Sequence, residues 1–269
     1  MKNGNDARRA ANDAGNSTVV TLIARIGFGA SGLMHLIMGY IAVRIALHHG
    51  GESDQSGAFA QLTKLPGGTF LLWVTVAGLA ALALWLLLQA GLGIGSSSKK
   101  RWVRSLVSLG KAAAYIALAW TALAFALKRP ASSTANTRHA SGAILSLPGG
   151  QALLILVGLA TAGIGGYFIY KGARQKFRDD IRLPGGPSKP AIVVLAMTGY
   201  IAKGIAIIAV GVLFVVAAVK VNANDASGLD GGLKSLAALP FGEAILIIIG
   251  LGLMAYGLYS FARARLARI

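Results

Sequence analysis

Residues 141–170 read SGAILSLPGGQALLILVGLATAGIGGYFIY, and this stretch decides the fold. After its polar start come Pro148, Gly149 and Gly150, and the apolar run that follows carries no charged residue as far as Tyr170. A run of about 20 apolar residues is the length at which an α-helix spans the hydrocarbon of a bilayer. Proline ends the preceding segment, and the glycines permit a tight change of direction. The stretch therefore predicts a hairpin corner followed directly by a transmembrane helix.

The same pattern occurs twice more in the chain. Leu65-Pro66-Gly67-Gly68 precedes one apolar span, and Leu239-Pro240-Phe241-Gly242 precedes another. Nineteen residues after each proline stands an aromatic residue, which at 1.5 Å per residue is roughly one bilayer thickness away; these aromatics are Trp85, Tyr167 and Tyr259. The glycines of the first helix also align with those of the fifth, since Gly27, Gly32 and Gly39 match Gly199, Gly204 and Gly211. The register predicts three tandem copies of a two-helix hairpin.

The predicted fold class is an all-α polytopic membrane protein with six transmembrane helices. The spans lie near residues 21–47, 69–95, 105–127, 151–170, 191–219 and 243–262. Because each copy crosses the membrane twice, all three copies enter from the same side, which predicts a pseudo-threefold axis along the membrane normal. The predicted organisation is a disordered cytoplasmic tail over 1–18 and repeats over 19–98, 99–190 and 191–269.

Composition and charge predict the orientation. The chain is 55% hydrophobic and 13% charged, with a mean hydropathy of +0.65 and a net charge of +17. Seventeen lysines and arginines fall on the side of the termini and six on the other side, so both termini are expected in the cytoplasm. Anionic phospholipid, rather than nucleic acid, is the expected partner of this basic surface. The candidate lipid-facing residues are Lys99, Lys100, Arg101, Arg104, Arg174, Lys176 and Arg178.

Reaction chemistry is not evident anywhere in the sequence. The absence of cysteine excludes disulfides, thiolate nucleophiles and cysteine-bound metals. Four histidines and nine carboxylates are too few and too scattered to predict a metal cluster. No Ser/His/Asp set has a supporting context, and no carboxylate pair is placed for acid–base work. We therefore expect no enzyme activity, no cofactor and no metal.

Ionisable residues inside predicted spans are the first functional candidates, because they are costly there; they are His35, Arg44, Lys111 and Lys203. Lys111 and Lys203 occupy equivalent positions, each seventeen residues before the lysine that ends its helix, which places both near the cytoplasmic edge. They either snorkel to the headgroups or form a basic ring that attracts an anion or holds a lipid phosphate. The first copy has Ser31 there.

The other two candidates carry their own alternatives. His35 is expected to be neutral and hydrogen-bonded to a neighbouring helix, with a proton relay as the alternative. Arg44 lies close to the outer end of the first span and is expected to anchor at the interface.

The three outer loops share one design, in which a small-residue start leads to a short apolar helix. Ser56 or Asp230 is expected to cap such a helix. The loops are interpreted either as simple hairpin corners or as three short helices around an outer vestibule. The corner residues are Pro66, Gly67, Gly68, Pro148, Gly149, Gly150, Pro240 and Gly242.

These motifs resemble those of a bacterial membrane family, domain of unknown function 1206, which carries three copies in one chain. The resemblance covers roughly residues 20–265, and the second copy departs from it at Val107 and Ala112, where the helix-start glycines are replaced. It implies a location in the bacterial inner membrane and brings no catalytic residues.

Two classes of function remain open from the sequence. One is a channel or passive transporter for a small anionic or neutral solute along the pseudo-axis. The other is a non-transporting protein that is structural, binds anionic lipid, or stabilises a membrane-protein partner or a second copy of itself. The absence of a carboxylate well inside a span disfavours a proton- or sodium-coupled cation transporter.

Overall fold

The computed structural model describes residues 18–92, 101–129 and 131–266, and within these ranges the regular structure is helical. The all-α prediction is therefore confirmed for this part of the chain. The helices end within a few residues of the predicted spans. In chain order they are α1 (Thr18–Ala46), α2 (Gln55–Leu62), α3 (Gly68–Leu92), α4 (Arg101–Ala126), α5 (Ser133–Leu145), α6 (Gly150–Ala173), α7 (Ser188–Val219), α8 (Gly228–Ala237) and α9 (Gly242–Leu266).

Five of the helices, α1, α4, α6, α7 and α9, are long and apolar enough to cross a membrane. In the sixth long helix, α3, the described apolar segment is Gly68–Leu84, which is shorter than the five candidate spans. Large apolar side chains point outward from these helices, among them Trp120 and Ile248, each 68% exposed. Lipid tails can contact these apolar side chains, and each helix satisfies its own backbone hydrogen bonds. The helices together indicate a multi-pass membrane protein.

The chain forms two compact units. One contains residues 62–131 with the start of α1, and the other contains residues 28–61 with 132–268. In the first unit α3 packs along α4, and the Ser105 hydroxyl donates to the Ala90 carbonyl at 3.1 Å. Ala83 and Ala112 are both buried there. The first unit thus pairs the second helix of repeat 1 with the first helix of repeat 2, rather than the two helices of one hairpin.

Glycine pairs bring helix backbones into contact in the second unit. Helix α7 meets α6 at Gly204 and Gly165, where a Cβ built on either glycine would stand 2.6 Å from the carbonyl oxygen of the other. The same helices meet again at Gly211 and Gly158, with a corresponding distance of 2.6 Å from a Cβ on Gly211 to the Gly158 oxygen. Small residues permit this close approach, which lets van der Waals contact hold helices together in lipid. We call this contact the α6–α7 seam.

A second seam of the same kind joins α1 to α9. Gly32 lies against Gly257, and Gly39 lies against Gly250. In both seams the paired glycines stand seven residues apart on each helix, and each seam joins the second helix of one repeat to the first helix of another. The α3–α4 contact is the same pairing, with Ala83 and Ala112 at the positions of the glycines. Alanine is larger than the glycine of the other two seams, which agrees with the departure of the second copy from the glycine pattern.

The corners between short and long helices require glycine for its conformation or for its small size. Gly67 and Gly149 both have a φ of +75°, a conformation that a side chain disfavours. In the third copy Phe241 takes the equivalent position at φ +60°, which is costly for a bulky residue. The next residue in each copy begins a long helix and lies against the last carbonyls of the short helix, so a Cβ there would collide with backbone; these residues are Gly68, Gly150 and Gly242. The preceding prolines, Pro66, Pro148 and Pro240, are exposed.

Candidate functional site

An aromatic cluster lies in the second unit where α6, α7 and α9 approach a short 3₁₀ helix, Lys176–Asp180. Its members are Phe168, Phe177, Tyr200, Tyr256 and Tyr259. Phe177 stacks on Tyr200 with ring centroids 5.9 Å apart, and Tyr256 meets Tyr200 edge-on at 5.2 Å. Phe177, Tyr200 and Tyr259 are almost fully buried. Aromatic pairs in these geometries contribute beyond the area they bury, so the cluster fixes the 3₁₀ helix against the three long helices.

Three cations surround the aromatic cluster, and one carboxylate lies among them. Lys171 Nζ lies 2.5 Å from Asp180, and Arg263 lies 3.6 Å from the same carboxylate oxygen. Lys203 Nζ lies 4.3 Å from the centroid of the Tyr256 ring and 5.3 Å from that of Phe168. These are cation–π distances. In the described part of the chain Lys203 has no carboxylate or hydrogen-bond acceptor, so the group carries an excess of positive charge.

His35 shares Tyr256 with Lys203, its ring lying 4.6 Å from that of the tyrosine. Its Nδ1 lies 2.7 Å from the Ser31 carbonyl oxygen, so Nδ1–H donates to the turn that precedes it on α1. The prediction of a hydrogen bond to a neighbouring helix is therefore wrong. The Ser31 carbonyl, one turn earlier on the same helix, accepts this hydrogen bond instead.

The remaining predicted residues are more dispersed. Lys111 is exposed on α4, so the two equivalent lysines have different surroundings. Arg44 is half-buried, with its guanidinium 6.0 Å from the Tyr40 ring. Arg174, Lys176 and Arg178 are exposed around the end of α6 and the 3₁₀ helix. Arg101 and Arg104 lie in the first turn of α4, and Lys99 and Lys100 lie outside the described residues.

The basic loop from Lys171 to Arg182 is only partly exposed. Phe177 and Ile181 are completely buried, although the charged residues between them are exposed or half-buried. The four-residue spacing of these two apolar side chains was the available signal. Their burial, rather than the basic residues of the loop, determines how the loop is held.

A second polar group lies at the other ends of the long helices, where α2, α5 and α8 meet; we call it the serine–aspartate cluster. Its members are Ser53, Asp54, Ser56, Ser133 and Asp230. The Ser53 amide donates to Asp230 Oδ1 at 2.9 Å, and the Ser133 amide donates to Ser56 Oγ at 3.1 Å. Ser56 donates to Asp54 Oδ1 at 2.6 Å. The cluster therefore joins segments from all three repeats.

The predicted caps of the short helices are wrong in detail. Helix α2 begins at Gln55, and Asp54 Oδ1 accepts the Gly57 amide proton at 3.0 Å, so Asp54 is the capping residue rather than Ser56. Asp230 lies inside the first turn of α8 and is occupied by Ser53 and by Lys234, whose Nζ is 2.7 Å away. A carboxylate two residues before Ser56 was available as a cap, and it leaves Ser56 free to bind α5.

The three short helices are more than separate corners, because they pack on one another. Thr134 of α5 donates to the Ser227 carbonyl, just before α8, at 3.3 Å. Ser56, Ser141 and Asp230, which are equivalent in the three repeats, are 1%, 2% and 5% exposed. The short helices thus lie together as one of the two interpretations requires, but their equivalent polar residues are buried rather than facing an open vestibule.

Asp54 gives a prediction for the dependence of stability on pH. Burial raises the pKa of Asp54 above its usual 3.8, hydrogen bonds from Ser56 and Gly57 oppose the rise, and the negative charge of Asp230 adds to it. Ionising a group whose folded pKa is raised costs stability, so this contribution is lost as the pH rises from about 4 through the folded pKa. In a choline buffer without metal cations, the thermal midpoint of the wild type should fall over this pH range relative to that of Asp54→Asn. Parallel curves for the two proteins would contradict the prediction.

Comparison with known proteins identifies the family and a relative. The family model described as Domain of Unknown Function (DUF1206) matches three times, over residues 26–93, 106–175 and 198–267. An uncharacterized protein of Bacillus subtilis (strain 168), YxxB, is 31% identical over 244 residues, which are 88% of this chain and 87% of the relative. No solved structure matches. The three tandem matches confirm the predicted resemblance and agree with a triplicated repeat.

Proposed function

This chain belongs to the Domain of Unknown Function (DUF1206) family, and we propose that it is a non-transporting protein of the bacterial inner membrane that binds anionic phospholipid. In this proposal it crosses the membrane six times, with both termini in the cytoplasm and the repeats related by a pseudo-threefold axis. The region that carries Lys171, Lys203 and Arg263 then lies toward the cytoplasmic headgroups. The protein is not an enzyme, and it needs no cofactor.

The observation that carries the proposal is the uncompensated charge of Lys203. Its half-buried ammonium group has two aromatic rings beside it and no anion among the described residues. A partly desolvated charge is costly unless it is paired. Lys171 and Arg263 share the single carboxylate Asp180, and Arg263 Nε is buried without a hydrogen-bond partner. A phosphate group satisfies such donors with strong charge-assisted hydrogen bonds.

The packing of the second unit favours lipid binding over a conduit. In the α6–α7 seam even a Cβ has no room between the backbones, and the α1–α9 seam is equally tight. The aromatic cluster packs between α6, α7 and α9. A solute path along either seam would need the helices to separate, whereas a lipid phosphate needs only access to Lys203 from the surface.

The test is lipid retention by the purified full chain. Incubated with equal amounts of phosphatidylglycerol and phosphatidylcholine, the wild type should retain the anionic lipid preferentially in native mass spectrometry. Lys203→Gln should weaken that preference about tenfold, which corresponds to ~1.4 kcal/mol. Lys111→Gln is the matched control, since Lys111 is the equivalent residue of another repeat and is exposed.

Two results would count against lipid binding. One is an equal retention of both lipids by the wild type, and the other is an equal loss in both lysine variants. Anion flux into vesicles that changes on replacing Lys111 and Lys203 with alanine would support the conduit instead. A stoichiometric membrane-protein partner that copurifies would support a stabilising subunit.

A further inference from the structure

The serine–aspartate cluster holds one more buried negative charge than its surroundings compensate. Asp54 is 1% exposed and Asp230 is 5% exposed. Lys234 pairs with Asp230, but no ion pair reaches Asp54 within the described ranges. Glu52 accepts a longer hydrogen bond from Ser56, at 3.1 Å, and is exposed to water. A buried negative charge without an opposite charge beside it is costly. Ionised Asp54 therefore needs a positive charge from outside the described side chains.

Two oxygen atoms in the cluster are buried and unpartnered. They are Asp54 Oδ2, directly before α2, and Ser133 Oγ, at the start of α5. The two residues are linked through Ser56, which donates to Asp54 Oδ1 and accepts from the Ser133 amide. Among the described residues, the hydrogen bonds to the Asp54 carboxylate fall on Oδ1, which accepts from the Ser56 hydroxyl and the Gly57 amide. The unpartnered oxygens therefore belong to one connected group.

A proton on Asp54 Oδ2 would remove the charge but would not satisfy the group. The new hydroxyl would be a donor with no acceptor, because Oδ2 has no hydrogen-bonding neighbour among the described residues, and a buried unsatisfied donor is itself destabilising. Ser133 Oγ would remain unpartnered as well. A single ion that accepts lone pairs from both oxygens meets both demands.

We propose that the serine–aspartate cluster binds one hard monovalent cation of the sodium class, with Asp54 Oδ2 and Ser133 Oγ among its ligands. The available side-chain ligands are all oxygens, which suit hard cations. The excess of one buried negative charge matches a single positive one. Within the described residues no three histidine or acidic side chains come together as a divalent metal site would require. The bound ion would tie the starts of α2 and α5 together beside α8.

The test is stabilisation of the full chain by sodium. In detergent, at constant ionic strength and a pH where aspartate is ionised, the thermal midpoint should rise with sodium replacing choline, because a ligand that binds only the folded state stabilises it. Asp54→Asn should abolish the rise, and Ser133→Ala should move it to higher sodium concentrations. Glu243→Gln, which alters an exposed carboxylate at the start of α9, should respond as the wild type does.

The proposal is overturned if sodium and choline give the same wild-type midpoint at every concentration. It is also overturned if Asp54→Asn keeps the response, or if the wild-type midpoint depends on pH alone and sodium has no effect, since a proton or water would then satisfy Asp54. Should Asp54→Asn fail to fold, Ser133→Ala decides: an unchanged sodium response in that variant removes Ser133 as a ligand and overturns the site as stated.

Discussion

Replacing Gly211 with valine should lower the free energy of unfolding by about 3 kcal/mol or more. A Cβ at this position would stand 2.6 Å from both the Gly158 carbonyl oxygen and the Ala162 amide nitrogen. Those are backbone atoms of α6, so they cannot move aside as a side chain can, and α6 and α7 would have to separate along the seam. The measurement is the midpoint of unfolding of the purified protein in detergent, followed by circular dichroism, with gel filtration to detect aggregation.

The matched control is Gly163→Val on α6. Gly163 is exposed, and a Cβ there meets nothing within 4 Å, so the same change of residue type leaves the packing intact. A seam that holds the unit together requires a large difference between the two variants. If Gly211→Val and Gly163→Val unfold at the same midpoint, close helix contact at Gly211 is not what stabilises α7.

The sequence contained much of the information about these seams. The spacing of Gly32 and Gly39 on α1, repeated by Gly204 and Gly211 on α7, is visible without a structure and predicts two helices with one packing role. What the spacing does not state is which helix faces each glycine. That depends on the pairing of a second helix with the first helix of another repeat, which is a tertiary choice with no local signal in either segment.

For the polar sites, too, the sequence predicts part of the arrangement and the tertiary packing decides the rest. Lys203, seventeen residues before Lys220, lies in the middle of α7. Its surroundings differ from those of Lys111 because Tyr256 and Phe168, which other helices supply, lie beside it. Asp54 lies two residues before Ser56, and its role as the cap is visible only in its hydrogen bond from the Gly57 amide. The hydrogen bond from Ser53 to Asp230 joins residues 177 positions apart. Short helices that each look like a corner become a site only when three repeats bring their ends together.

The hydrogen bonds of the second unit run between different repeats. Ser56 of repeat 1 binds the start of α5 in repeat 2, and Asp230 of repeat 3 binds Ser53 in repeat 1. Gly142 of repeat 2 lies beside Ala223 of repeat 3. The helix seams follow the same order, since α3 pairs with α4, α6 with α7, and α9 with α1.

Phe177→Ala should lower the free energy of unfolding by about 3–5 kcal/mol, the usual cost of removing a buried phenylalanine. Phe177 is 0% exposed and touches the rings of Tyr200 and Tyr259, so its loss leaves a cavity between α7, α9 and the 3₁₀ helix. The loop should also become sensitive to trypsin at Arg178 and Arg182, because Phe177 and Ile181 are the buried side chains that hold it. Thermal unfolding and limited proteolysis in detergent measure the two effects.

Phe70→Ala is the control for Phe177→Ala, since Phe70 is 70% exposed and its removal opens no cavity. Phe177→Leu should recover part of the stability and most of the protease resistance, because leucine refills much of the same volume. The ordering of the variants matters more than any one value. If Phe177→Ala is as stable and as resistant as Phe70→Ala, the aromatic cluster does not hold the loop. Lys171, Lys203 and Arg263 would then lack the rigid support that a defined phosphate site needs.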